Sequence, residues 1–109
     1  MDTTNTAELA QILKSIAHPI RLTILCLLQE KELSAGELAL AAHTSYANLS
    51  QHLSVLRRQG LIQTRREARY LYSRINDQRI VELMVLLNAL FCEPKTSQDP
   101  DNEVSSGML

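Results

Sequence analysis

Apolar side chains recur along the first part of the chain at the spacing of amphipathic helices. In residues 7–17 they fall at the i, i+3, i+4 and i+7 positions of one helix face, as Leu9, Ile12, Leu13 and Ile16. Pro19 suits the first turn of a second helix, because proline has no N–H to donate there. The segment 19–31 is apolar nearly all round. This predicts a central helix that is packed on more than one side.

Two shorter helices follow, joined by a tight link. Ser34 and Glu37 have the spacing of a capping box, which predicts the start of a third helix. Thr44 or Ser45 caps a fourth helix, and Gly60 is typical of the residue that follows a helix end. Two short helices with a short link are typical of a helix-turn-helix motif.

A hairpin is predicted after these helices. Residues 61–66 and 69–75 both alternate and are rich in β-forming residues. Glu67-Ala68 between them is not a common two-residue turn, so the register of the strands stays open. The hairpin corresponds to the wing of a winged helix-turn-helix.

The last predicted helix begins at a polar cap, Asn76 or Asp77, and is strongly apolar. From Pro94 onward the composition is too polar to bury an ordered core. The chain is therefore predicted to have one mainly α domain, residues 1–93, with the order α-α-α-α-β-β-α. We expect a disordered tail over residues 94–109.

Composition adds two constraints. Apolar residues make up 45% of the chain, but with one Phe, three Tyr and no Trp the core must be aliphatic. No apolar run approaches the ~20 residues of a membrane span, and the first residues do not resemble a secretory signal. We therefore expect a cytoplasmic protein without membrane contact.

The basic charge is concentrated in one third of the chain. The formal net charge is −1, yet residues 57–79 hold seven arginines against only Glu67 and Asp77. This distribution is expected where one surface contacts phosphates. An ordinary solvated basic surface is the alternative.

The fourth predicted helix has an outward face suited to a DNA major groove. Leu49, Leu53 and Leu56 lie within about 60° of one another on a helix, which defines its inward face. The opposite face is short and polar, and an amide there can bind an adenine edge bidentately. The candidate DNA-reading residues are Gln51, Asn48, Ser45 and Tyr46, with Ser50 on one flank. The alternative is that they are ordinary exposed polar residues.

A second group of side chains is expected to hold the DNA backbone or the minor groove. This group consists of Arg57, Arg58, Arg65, Arg66 and Arg69. His52 falls close to the inward edge of the helix, so we interpret it as a packing or phosphate-contacting histidine rather than a metal ligand.

Four motifs resemble those of the ArsR/SmtB family of dimeric bacterial repressors. They are Ala-His-Pro-Ile-Arg-Leu-Thr-Ile-Leu at 17–25, Glu-Leu-Ala at 37–39, Ser-Gln-His-Leu-Ser-Val-Leu-Arg at 50–57 and Gly-Leu-Ile at 60–62. The resemblance covers about residues 7–92. It implies a homodimer, with its first and last helices packed across a two-fold axis, on an imperfect palindrome of double-stranded DNA. The apolar surface of the last helix independently favours a dimer.

The two metal sites known in that family are not present here. Ser34 and Gly36 stand where the family has a Cys-x-Cys pair on the third helix. Arg79 and Leu90 stand where it has two histidines on the last helix. None of these four residues supplies the thiolate or imidazole that zinc needs. We expect no metal and no cofactor.

Cys26 and Cys92 resemble the cysteine pair of the persulfide- and redox-sensing branch of the family, the HlyU, BigR and SqrR branch. The resemblance implies that reactive sulfur or an oxidant bridges the pair by a disulfide or polysulfide, and that DNA affinity then falls. The alternative is that Cys26 is simply a small core residue.

Other functions are less well supported by the sequence. One alternative is an inducer-independent, virulence-type activator that displaces a nucleoid protein. A metal-responsive repressor is a weaker alternative, as is a dimeric interaction module that has lost DNA binding. A thiol oxidoreductase would need a Cys-x-x-Cys motif, which is absent, and no hydrolase motif is present. We expect no catalytic residues and no enzyme activity.

Overall fold

The computed structural model describes residues 3–91, which form five helices and three strands. In chain order these are α1 Thr3–Ile16, α2 Pro19–Leu27, β1 Leu33–Ser34, α3 Ala35–Ala41, α4 Tyr46–Arg58, β2 Ile62–Glu67, β3 Tyr70–Ile75 and α5 Gln78–Phe91. The predicted mainly α winged helix-turn-helix is confirmed. The predicted tail, residues 94–109, lies outside the described residues.

The first two helices differ in length from the prediction. Helix α1 begins at Thr3 rather than at residue 7, and α2 ends at Leu27 rather than at residue 31. The polar run 29–31 offers no apolar side chain for the core, so it does not extend α2. His18 caps α2, with its Nδ1 accepting from the N–H of Ile20 at 3.0 Å.

The helix-turn-helix is held by two side-chain caps. Ser34 Oγ accepts from Glu37 N, and the Glu37 carboxylate accepts from Ser34 N, so the predicted capping box is confirmed. Ser45, rather than Thr44, caps α4. In the link between the two helices, His43 adopts the left-handed conformation, with φ of 56°.

The sheet has one strand more than the sequence pattern indicates. Its order is β1-β3-β2 and both pairings are antiparallel, with Leu33 opposite Ser73 and Arg65 opposite Tyr72. A two-residue strand such as β1 is too short to show alternation. The hairpin turns at Ala68–Arg69, one residue later than predicted, and Ala68 adopts φ of 56°.

The core lies where α2, α3 and α4 meet the base of the hairpin and the inner face of α5. Its buried apolar side chains are Ile16, Ile24, Leu25, Leu28, Ala35, Leu38, Ala39, Leu49, Leu53, Leu56, Leu61, Ile62, Ile80 and Met84. None is aromatic, as the composition predicts. No helix in the described part of the chain is long and apolar enough to cross a membrane.

Candidate nucleic-acid interface and thiol groove

Helix α4 presents the predicted polar face to solvent. Leu49, Leu53 and Leu56 are buried, which turns the opposite side of the helix outward. The exposed residues in its first half are Tyr46, Ala47, Ser50 and Gln51. A helix with a short polar outer face and a buried apolar inner face fits the width of a DNA major groove.

Two of the predicted base-reading residues also build the start of this helix. Ser45 Oγ accepts from Asn48 N at 3.0 Å, and the Asn48 side-chain amide donates to Thr44 Oγ1 at 2.8 Å. Asn48 is consequently half-buried, whereas Gln51 is exposed. The amide of Gln51 is therefore the more accessible of the two for a base.

Arg65 on the wing is engaged by two carboxylates. Its guanidinium donates to both oxygens of Glu32, at 3.0 and 2.7 Å, and to Glu67 at 2.7 Å. The guanidinium carbon of Arg65, Cζ, also lies 4.8 Å from the centre of the Tyr72 ring. Hydrogen bonding to Arg65 lowers the pKa of Glu32, and the two carboxylates raise the pKa of Arg65. Arg65 would have to leave or share these partners in order to contact phosphate.

The other predicted phosphate-binding arginines lie at the end of α4 and at the tip of the wing. Arg57 donates to Ser54 at 3.2 Å, and Arg69 donates to the Tyr70 hydroxyl at 3.1 Å and stacks on its ring. Arg57, Arg58, Arg66 and Arg69 are all exposed. Among the described residues, none of these four forms an ion pair with a carboxylate.

Cys26 lies in the wall of an apolar groove between α2 and α5. It is exposed, so the alternative of a buried core cysteine is wrong. The groove has a volume of about 450 Å³ and is lined by Leu22, Thr23, Cys26, Leu27, Met84, Leu87, Asn88 and Phe91. The side-chain amide of Asn88 on α5 donates to Oε1 of Gln29, two residues after the end of α2, at 3.0 Å. Cys92 lies outside the described residues.

Sequence comparison identifies the family. Residues 18–64 match the family described as "Bacterial regulatory protein, arsR family". The biofilm growth-associated repressor of Agrobacterium fabrum is 41% identical over 88 residues, which are 81% of this chain and 75% of that protein. The transcriptional activator HlyU of Vibrio cholerae is 40% identical over 89 residues, 82% of each chain. The chain belongs to the ArsR family.

Solved structures of ArsR-family proteins have the same fold. HlyU of Vibrio cholerae has a TM-score of 0.80 at 40% identity, over 85% of this chain and 100% of that one. BigR, a transcriptional repressor of Xylella fastidiosa, has a TM-score of 0.78 at 35% identity, over 84% and 93%. A homodimeric winged helix-turn-helix domain of Mycobacterium bovis has a TM-score of 0.71 at 28% identity, over 82% and 85%. This ArsR-family protein is a DNA-binding transcription regulator and not an enzyme.

Two of the four positions compared above with the metal ligands of the family have structural roles here. Ser34 caps α3. Arg79, in the first turn of α5, forms an ion pair at 2.7 Å with Asp77, the residue that precedes this helix. Arg79 also holds the pKa of Asp77 below its ordinary value. Within residues 3–91, no three His, Cys, Asp or Glu side chains are grouped so that they could hold a metal ion.

Two residues that contact the candidate DNA-binding residues were not predicted from the sequence. Glu32 precedes β1 and pairs with Arg65, which is 33 positions later in the chain. Arg21 on α2 contacts His52 of α4, 31 positions later. No periodicity or motif spacing signals a contact at such a separation, because it is created only when the helices and the sheet pack together.

Proposed function

We propose that this ArsR-family regulator binds an imperfect palindrome in cytoplasmic DNA as a homodimer, and that a bridge between Cys26 and Cys92 lowers its affinity. One observation carries the thiol part of this proposal: Cys26 is exposed in the groove whose far wall includes Phe91. Phe91 immediately precedes Cys92 in the sequence.

The chemistry needs only two thiols and a source of sulfane sulfur. One cysteine thiolate attacks a sulfur atom of an inorganic polysulfide, retains a short sulfur chain and releases a shorter polysulfide. The second thiolate attacks an inner sulfur of that chain, and the terminal sulfur leaves as hydrosulfide. Two thiols are thereby oxidised and sulfane sulfur is reduced. A bridge that contains extra sulfur atoms spans a longer distance than a disulfide, which requires Cα atoms about 4.4–6.8 Å apart.

The position of the groove favours such a change in DNA affinity, because the groove lies between α2 and α5, and these helices make different contacts. Helix α2 packs against the DNA-facing helix α4, and α5 carries exposed apolar residues suited to a dimer interface. A covalent bridge from Cys26 on α2 to Cys92, the residue that follows α5 in the sequence, would constrain the angle between the two helices and change the spacing of the two α4 helices in the dimer. One of the similar solved structures is described as reduced HlyU, a name that specifies the redox state of that protein.

The direction of regulation has two candidates. The Agrobacterium fabrum relative is named a repressor and the Vibrio cholerae relative an activator. We favour a repressor that is released from DNA by thiol bridging. The second candidate is an activator that displaces a nucleoid protein and does not respond to the thiols.

The test uses the full-length protein and the duplex that its reduced form enriches from a random library. Treatment with inorganic polysulfide should add a Cys26–Cys92 bridge, detected by mass spectrometry, and should weaken binding about tenfold or more. Cys26→Ser and Cys92→Ser should bind as the reduced protein does and should not respond. Two unmodified thiols, or a bridge that leaves affinity unchanged, would rule out the sensing proposal. Reduced protein without salt-dependent DNA binding would rule out the DNA-binding proposal itself.

A further inference from the structure

Three side chains connect the junction of α1 and α2 to the DNA-facing helix α4. A guanidinium nitrogen of Arg21, Nη1, lies 3.1 Å from His52 Nδ1. The Nε–H of the same guanidinium donates to the carbonyl oxygen of Ser15 near the end of α1. The rings of His18 and His52 lie 4.3 Å apart, centre to centre, at an angle of 39°. Arg21, near the start of α2, therefore contacts both the end of α1 and the middle of α4.

These contacts determine which nitrogen of each ring carries a proton. Arginine has donors only, so His52 Nδ1 must accept the hydrogen bond from Arg21. A neutral His52 then carries its proton on Nε2. His18 Nδ1 likewise accepts from the backbone N–H of Ile20, so the proton of a neutral His18 is also on Nε2. Both rings are thus held in a single tautomer.

The surroundings favour the neutral form of His52. The ionisable groups that bear on it are Arg21 on α2 and His18, which caps that helix, while α1 contributes the Ser15 carbonyl to Arg21. No carboxylate is among them. Burial of the ring, and then the charges of His18 and Arg21, hold the pKa of His52 below its ordinary value. A second proton would also occupy Nδ1 and remove the hydrogen bond to Arg21.

We propose that Arg21 is a positioning residue for DNA binding: it holds His52 as the Nε2–H tautomer, which donates to a backbone phosphate beside the groove read by Gln51. This rests on the DNA-binding role proposed above. His52 follows Gln51 directly on α4 and remains half-exposed. A neutral imidazole can donate from only one nitrogen, so fixing the tautomer fixes a donor in place before DNA arrives. Arg21 itself is committed to Ser15 and His52 and reaches DNA only through the ring.

Nitrogen-15 NMR of the imidazoles tests the first half of this proposal. In the wild-type protein, His52 should give one protonated nitrogen, Nε2, and one unprotonated nitrogen, Nδ1, at neutral pH. Arg21→Met should shift these signals toward the average of the two tautomers. Arg21→Lys, whose ammonium group can still donate a hydrogen bond, should retain part of the wild-type pattern. An unchanged His52 spectrum in a folded Arg21→Met variant would overturn the assignment.

DNA affinity tests the second half, with the library-selected duplex as the probe. Arg21→Met and His52→Phe should each bind about five- to tenfold more weakly, and the double variant should lose no more than either single variant. Lys14→Met removes an exposed charge at the end of α1 and should bind nearly as the wild type does. Additive losses, or an Arg21→Met effect no larger than that of Lys14→Met, would contradict the proposal. If Arg21→Met does not fold, the comparison of Arg21→Lys with His52→Phe carries the same test. Wild-type protein that does not bind DNA would instead refute the proposed function.

Discussion

At the residue scale, the exposed amide of Gln51 is the side chain on α4 that is best suited to read a base. Its neighbour Asn48 donates its side-chain N–H to Thr44, and Ser45 is occupied in capping the helix. Gln51 has neither constraint and lies opposite the buried Leu49 and Leu53. A glutamine amide can both accept from and donate to an adenine edge in the major groove.

Replacement of Gln51 by alanine should therefore relax the base preference at one position of each half-site. The expected loss of discrimination is ~1–3 kcal/mol if the amide contacts are bidentate. Binding to duplexes that differ from the selected site at single base pairs measures it. Gln11→Ala on the exposed side of α1 is the matched control and should keep the wild-type preference. Equal preference in the two variants would remove Gln51 from base reading.

Residue-level prediction from sequence succeeded where neighbouring positions along one helix decide the outcome. The burial of Leu49, Leu53 and Leu56 and the capping box of Ser34 and Glu37 follow from spacings of three and four residues. Cys26 was harder to place, because α2 is apolar on every side and its sequence does not indicate which side faces the groove. Packing against α1, α4 and α5 decided that.

At the element scale, the wing is fastened to the body of the protein by the contact between Glu32 and Arg65. Glu32 precedes β1 at one edge of the sheet and Arg65 lies on β2 at the other edge, so this ion pair connects the two edges across β3. Both side chains retain access to solvent. In the proposed complex, DNA phosphates would therefore compete with Glu32 for the guanidinium, and the carboxylate would limit how strongly the wing attracts DNA.

Glu32→Gln should raise affinity for DNA of arbitrary sequence, because Arg65 then loses one of its two carboxylate partners. The slope of log affinity against log salt should steepen by up to about 1, the value for one added phosphate contact. Glu30→Gln makes the same change of charge at an exposed position two residues away and is the matched control. Identical salt slopes in the two variants would show that only net charge matters and that Arg65 stays away from DNA.

Hairpin prediction was correct in kind and wrong in detail. Alternation identified both strands, but the turn lies at Ala68–Arg69, where an alanine takes a conformation usually left to glycine. Strand β1 was missed because two residues are too few to show the alternation of apolar and polar side chains that identifies a strand. Ser34 both pairs with Tyr72 of β3 and caps α3, so β1 ends where that helix begins.

At the scale of the whole molecule, α1 and α5 leave much apolar surface uncovered. The exposed apolar side chains on these helices are Leu9, Leu13, Val85, Leu86, Leu90 and Phe91. A concentration of this kind on two helices is typical of a surface that another protein chain covers. It agrees with the homodimer we propose, in which both helices would lie at the two-fold axis.

Leu86→Glu should therefore shift the protein from dimer to monomer and should weaken DNA binding at the same time. The reason is that a carboxylate would have to be buried in the interface without a partner. Sedimentation equilibrium measures the change. Leu40 on α3 is even more exposed, 81% against 54% for Leu86, but lies on neither helix, so Leu40→Glu should remain dimeric. Dimers in both variants would place the interface elsewhere.

Helix α2 links the proposed response to the DNA-facing surface. It carries Cys26 near its end, Arg21 near its start and the His18 cap in front of it. A displacement of α2 caused by bridging at Cys26 would reach α4 through the contact between Arg21 and His52. This route consists of packed helices and hydrogen bonds and requires no change of fold.

The sequence by itself determined the order of the helices and the hairpin, the inward face of α4, the aliphatic core and the family, because each depends on residues close together in the chain or on motifs read directly. Only the tertiary structure decided that Cys26 faces a groove, that Arg65 is held by Glu32 and that Arg21 contacts His52. The two polar contacts join residues 33 and 31 positions apart, and the groove joins residues still further apart in the chain. They exist only after the hydrophobic core has brought the helices and the wing together, because buried apolar area drives that assembly without specifying polar partners in advance.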